Sequence, residues 1–239
     1  MIDLNSTSVR WTITLNRPDK ANAINMEMLI RLNEILDEAK QQPKLRSLII
    51  TGNGPVFSAG ADLNAVKLNN ELTTTIHWKT LSDKIAELPC LTIAALNGTL
   101  AGGAFSMVLA CDIRLATTTA KFFYPVLKNN ILPQPNDIGR LINIAGISTA
   151  KLILIAGQKL NAKEALDKGL IDVICEQHEL TENINHLSCT AENTDSIALL
   201  AIKRLFQNLN SNELKTDTIN AVFNKDAIAI KKLKKFSIY

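Results

Sequence analysis

Two segments, Phe57-Ser58-Ala59-Gly60-Ala61-Asp62-Leu63 and Asn97-Gly98-Thr99-Leu100-Ala101-Gly102-Gly103-Ala104, constrain the fold of this chain more than any others. The first follows the strand-like run Leu48-Ile49-Ile50-Thr51, the second Leu91-Thr92-Ile93-Ala94, and each precedes a stretch with helical patterning. A strand that enters a turn of small residues and opens a helix leaves backbone N–H groups without partners. Two such turns side by side can clamp one oxygen on which negative charge develops. The repeated rhythm of strand, turn and helix predicts an α/β fold.

The remaining periodicities fit that class. Val9, Trp11, Ile13 and Leu15 alternate with polar residues as in a half-buried strand. Asn25 is placed to cap a helix to about Lys40, with Leu29, Leu32, Ile35, Leu36 and Ala39 on one stripe. Gln41-Gln42-Pro43 ends it, and Leu45 to Thr51 reads as the next strand. A helix is expected from the Gly102-Gly103 turn to about Ala110, then short strands over Ile113 to Ala116 and Lys121 to Phe123. Beyond Asp137 the pattern is mainly helical, broken at Gly146 and Gly157, with a short strand at Ile171 to Ile174. Glu176 to Thr194 reads as polar and looser. A further helix begins at Ser196, with two more expected after it. A boundary near residue 180 divides a core, 1–180, from a helical C-terminal region, 181–239.

Composition narrows the class of function. The chain has 239 residues, 46% hydrophobic and 21% charged, as in an ordinary globular protein. A net charge of +3, with no basic run interleaved with aromatics, gives no support to nucleic-acid binding. No apolar run reaches membrane-spanning length and the start lacks a signal-peptide pattern, so a cytoplasmic protein is expected. Cys90, Cys111, Cys175 and Cys189 stand singly, as reduced thiols do, and no metal site is expected. A dinucleotide fingerprint at Gly52-Asn53-Gly54 fails because its third glycine would fall at Phe57.

Read in order, Leu15-Asn16-Arg17-Pro18 with Asn22-Ala23, both glycine turns, Cys111-Asp112, and Ala165-Leu166 with Gly169-Leu170-Ile171-Asp172 resemble the crotonase (enoyl-CoA hydratase/isomerase) superfamily. The resemblance covers residues 9 to 175 well and the helical tail loosely. It implies a spiral of ββα units followed by a helical trimerisation region, homotrimers or hexamers, and an acyl-coenzyme A substrate. No separate cofactor is implied, coenzyme A being part of the substrate. By position, the N–H groups of Ala61 and Gly103 become the donors of an oxyanion hole. The small residues there let a thioester oxygen approach the main chain, and a helix opening at Gly103 would add its dipole. Lys20, Ala21, Ala59, Asp62 and Leu63 fall at substrate-binding positions, with Asp62 and Asp112 read as structural.

The chain departs from the family pattern where hydratases carry two glutamates. Those positions are Ser106 and Val126. Valine moves no proton, and serine without a base is a poor proton carrier. Replacement groups are sought around the acyl pocket, in Ser106, Val126, Tyr124, Gln134 and Asp137. For Asp137 the plainer reading is that it or Asn136 caps the helix beginning at Ile138, and Ser106, Tyr124 and Gln134 read first as wall or core residues. His77 reads as a partly exposed surface residue. The lysines of Ile230 to Phe236 read as a helix face or as a contact to nucleotide phosphates. The expected function is a crotonase-type acyl-CoA enzyme that stabilises a thioester enolate. Alternatives are decarboxylation of a malonyl-type thioester, which needs the hole without a strong base, and a non-catalytic acyl-CoA binder.

Overall fold

The computed structural model describes residues 1–68, 72 and 75–209. Strands β1 (Ile2–Ser6) and β2 (Arg10–Leu15) form an antiparallel hairpin. Helix α1 (Met26–Lys40) follows, its first turn capped by Asn25, whose side chain accepts from the Met28 amide. The predicted stripe is the buried one, while Arg31 pairs with Glu34 and Glu38 on the outer face.

Three successive units then repeat one plan. The first comprises β3 (Ser47–Gly52), β4 (Val56–Ser58) and α2 (Leu63–Leu68), with helix α3 (Ile76–Glu87) after it. The second comprises β5 (Leu91–Leu96), β6 (Thr99–Ala101), a 3-10 turn at Gly102–Ala104 and the short α4 (Phe105–Val108). The third comprises β7 (Ile113–Thr117), β8 (Lys121–Phe123) and α5 (Pro135–Leu154). Beyond them lie β9 (Leu160–Asn161), α6 (Ala162–Asp167), β10 (Val173–Cys175), α7 (Leu180–Glu192) and α8 (Ser196–Leu209). The first strand of each unit joins a six-stranded sheet ordered β1-β2-β3-β5-β7-β10; the second joins a four-stranded sheet ordered β4-β6-β8-β9. Within the three units all pairings are parallel. This is the ββα spiral that the resemblance implies.

Period-two alternation sorts the larger sheet's side chains between two layers. Leu48, Ile50, Ala94, Leu96 and Ala116 face the main core with α1 and α3. Ile49, Ile93, Ala95 and Leu115 face the other way, onto α7. There the structure corrects the looser reading of Glu176 to Thr194. Leu180, Ile184, Leu187 and Ala191 recur at helical spacing, so a mostly polar segment still offers one apolar stripe. Arg10 adds a paired contact to Glu192 at 2.7 Å, and Ser47 donates to the same carboxylate. The N-terminal strand was also not anticipated, since Ile2–Ser6 is too polar to announce itself. Gly146 breaks α5 as predicted, with φ +79°. The helices expected after α8 and the lysines of Ile230 to Phe236 lie outside the described residues. No described helix is long and apolar enough to cross a membrane.

The step from β5 to β6 leaves no room for a side chain. A Cβ on Gly98 would stand 2.0 Å from the Pro55 carbonyl oxygen, a backbone atom that cannot swing aside. Gly98→Ala is expected to cost about 3 kcal/mol or more, read as a fall in the urea midpoint; an unchanged midpoint would contradict this packing.

Candidate active site

Parallel pairing of β4 with β6, Val56 beside Thr99 and Ser58 beside Leu100, sends both glycine turns out from the same sheet edge. Gly60, at φ +88°, lies so close that a Cβ there would be 2.8 Å from the Gly103 nitrogen and 2.7 Å from the Ala101 oxygen. The conformation and the space both require glycine. Three of the four amides from 59 to 62 are committed. Ala59 donates to the Ala21 carbonyl, Gly60 to Ser58 Oγ, and Asp62 to the Ile24 carbonyl. The Ala61 N–H donates to no acceptor among the described residues, and nor does that of Gly103. The Trp78 ring closes one flank of Gly103, 3.4 Å from where a Cβ would be. The helical run after Gly103 ends near Val108 rather than Ala110, so the dipole it adds is that of a very short helix.

The loop before α1 braces the first turn. Arg17 pairs with Asp62 at 2.7 Å and donates to the Ala23 carbonyl, and this pairing holds the Asp62 carboxyl below its ordinary range. Asp62 also accepts from the Asn64 amide. Lys20 is exposed on the 3-10 turn Pro18–Lys20, and Ala21 is left-handed at φ +50°. Leu63 is exposed, across a cleft from Lys128 and Lys159. Asp112 accepts from Thr92 and Lys203, again a structural role.

The acyl-pocket candidates fall into two groups. Ser106 and Tyr124 each donate to Asp137 Oδ2 at 2.8 Å, and all three residues are buried. This corrects the capping expectation. Helix α5 begins at Pro135 with Gln134 in the cap position, and Asp137 turns inward from the third helical residue. It also corrects the wall reading of Tyr124, whose ring stacks on Phe105 at 5.1 Å while its hydroxyl bonds the carboxylate. Asp137 Oδ1 is buried without a hydrogen bond. Burial pushes this carboxyl up to about 6, against the pull of the two hydroxyls, the Arg140 charge and the Gln134 amide. Burial and the nearby carboxylate likewise drive the Tyr124 phenol up. Arg140 is held by Ser82 and Asp83 of α3, and Asn136 donates to Asp83.

Val126 is also buried but brings no polar atom to the cluster. Gln134 lines a cavity of about 760 Å³ with Ile131, Pro133 and Pro135, facing Val66 and Ile76. Cys90 and Cys111 offer no nucleophile, because burial pushes both thiols up to about 12. His77 is half-buried on α3, as expected.

A sequence model described as enoyl-CoA hydratase/isomerase matches residues 6–235. The chain belongs to the enoyl-CoA hydratase/isomerase family. It is 32% identical over 198 residues to the carnitinyl-CoA dehydratase of Escherichia coli K12, covering 82% of this chain and 76% of that one. It is 29% identical over 212 residues to the 1,2-epoxyphenylacetyl-CoA isomerase of the same organism, covering 86% and 81%. The crystal structure of an enoyl-CoA hydratase from Bacillus anthracis superposes with a TM-score of 0.88 at 26% identity, covering 98% of this chain and 96% of that one.

Residues that sequence reasoning used only as motif letters prove to position the family's turns. Asn22 is fully buried at φ +52° and donates to the Asn53 and Val56 carbonyls while accepting from the Arg17 amide. Asn97 bridges the Gly52 amide and the Gly54 carbonyl. A buried Asn in the left-handed region was the available signal.

Asp137 makes stability depend on pH in a defined direction. The folded state holds a proton up to about pH 6, whereas the unfolded carboxyl loses it near 3.8. Stability from this group is therefore full below about pH 4 and falls as pH rises through 6, by up to roughly 3 kcal/mol. Asp137→Asn is expected to be at least as stable as wild type at pH 8 and to lose this part of the pH slope, measured by urea unfolding at pH 4.5 and 8.

Proposed function

We propose that this chain acts on an acyl-CoA thioester and holds the developing enolate oxygen between the N–H groups of Ala61 and Gly103. The observation that carries this reading is the juxtaposition, across Gly60, of two uncommitted amides on adjacent turns. A preorganised donor of this kind contributes about 3 kcal/mol to the transition state, because it needs no reorganisation as charge develops. Lys20, Ala21, Ala59, Asp62 and Leu63 cluster on the braced loop and first turn, which supports their reading as the surround of the coenzyme A moiety. Relatives named for dehydration, isomerisation and hydration share this framework, so the side chains around the hole select the reaction.

Water addition in the two-carboxylate manner is disfavoured. A water placed between Ser106 and Val126 would meet one hydroxyl, already donated to Asp137, and one isopropyl group. Chemistry that passes through the enolate without activating water fits better, and Asp137 favours catalysis over a binding-only role. A homotrimer or hexamer is the assembly we attach to this reading, with Ile202 and Phe206 of α8 as exposed apolar surface for an interface to cover; light scattering measures it.

Gly103→Pro removes one proposed donor. Turnover of a panel of crotonyl-CoA, 3-hexenoyl-CoA and methylmalonyl-CoA is expected to show slow hydration of the first and faster conversion of one of the others. The variant is expected to lose that conversion by about 100-fold or more, with folding checked by circular dichroism. Unchanged turnover would rule out the hole.

A further inference from the structure

We infer that Asp137 is the single proton-transferring group of this site, working through Oδ1, with Ser106 and Tyr124 as positioning residues that hold Oδ2. This rests on the thioester reading above and names the group that reading leaves open. Ser106 stands one helical turn beyond Gly103, so its hydroxyl ties the Asp137 carboxylate to the segment carrying a proposed oxyanion donor. The two carboxylate oxygens are not equivalent. Oδ2 accepts from both hydroxyls, whereas Oδ1 is buried with no hydrogen bond. A buried acceptor left without a donor is costly, and a proton or a reacting C–H group is what relieves it. A cavity of about 760 Å³ is lined by Gln134 and Pro135, at the start of the helix that carries Asp137.

The carboxyl that the family pattern places on the helix after the second turn is thus supplied from α5. One carboxyl suffices for a proton shift. Oδ1 takes a proton from the α-carbon of a 3-enoyl thioester; that C–H bond breaks and its electron pair enters the C1–C2 bond. The thioester oxygen becomes the anion, facing Ala61 and Gly103. The Oδ1–H bond then breaks to deliver the same proton to the γ-carbon, as the former C3–C4 double bond moves to C2–C3. No water, metal or cofactor enters the balance.

The groups facing Asp137 set its titration. They are Ser106 from α4, Tyr124 after β8, the Gln134 amide, and Arg140, itself held by Asp83 of α3. Burial outweighs these and leaves the carboxyl at about 6, so base-dependent steps rise with pH through that region. Removing either hydroxyl deletes a donor to the ionised form and moves the rise to higher pH.

Deuterium uptake at the α-carbon of butyryl-CoA in D2O tests the assignment, alongside calorimetric binding of the same thioester. Asp137→Asn is expected to slow uptake by about 100-fold or more, with the dissociation constant within about threefold of wild type and Tm at pH 8 equal or higher. Ser106→Ala and Tyr124→Phe are expected to shift the rising limb of uptake upward in pH. Equal uptake by wild type and Asp137→Asn, binding without uptake by wild type, or an unmoved limb in both hydroxyl variants would overturn the assignment. Failure of wild type to bind butyryl-CoA is a separate outcome, because it removes the thioester reading itself.

Discussion

The structure hangs on one close approach, that of Gly60 to Gly103. The two stretches of main chain can meet at this distance only because Gly60 puts no side chain into the gap, and parallel pairing of β4 with β6, with a register shift between Val56 and Ser58, brings them there. The surrounding polar groups serve that approach. Asn22 ties the loop before α1 to the β3–β4 connection, Asn97 ties that connection to the β5–β6 step, and Ile24 takes up the neighbouring amide and carbonyl of the first turn. Of the amides from Ala59 to Asp62, only that of Ala61 donates to no acceptor among the described residues.

Much of this was legible in the sequence because glycine and small-residue positions report backbone demands directly. The strand runs, the Asn25 cap, the stripe of α1 and the break at Gly146 all follow from local chemistry, and the structure keeps them. The family also followed from the order of the motifs. What failed was local reading of residues whose partners lie far along the chain. Asp137 sits in the first turn of a helix, where a carboxylate ordinarily caps. Nothing nearby reveals that Ser106 and Tyr124, 31 and 13 residues earlier, converge on it. Helix α7 was misread for a related reason, since its stripe has meaning only against the outward face of β3, β5 and β7.

The buried carboxylate also illustrates how a site differs from a scaffold. The pairs Arg17–Asp62 and Arg10–Glu192 hold their carboxyls below the ordinary range and so support the fold at neutral pH. Asp137 is held above that range, where ionisation works against folding. A group kept at such a disadvantage, with one oxygen unsatisfied, marks a place where local stability has yielded to another requirement.

Lys203 of α8 reaches the Cys90 carbonyl at 2.7 Å and the Asp112 carboxylate at 2.8 Å. Asp112 is the same side chain that clasps Thr92 at the start of β5. On the ribosome, strands β5 and β7 emerge long before α8. The clasp between them gains its cationic partner from a residue 91 positions beyond Asp112, so the centre of the sheet is finished by a segment synthesised well after its strands.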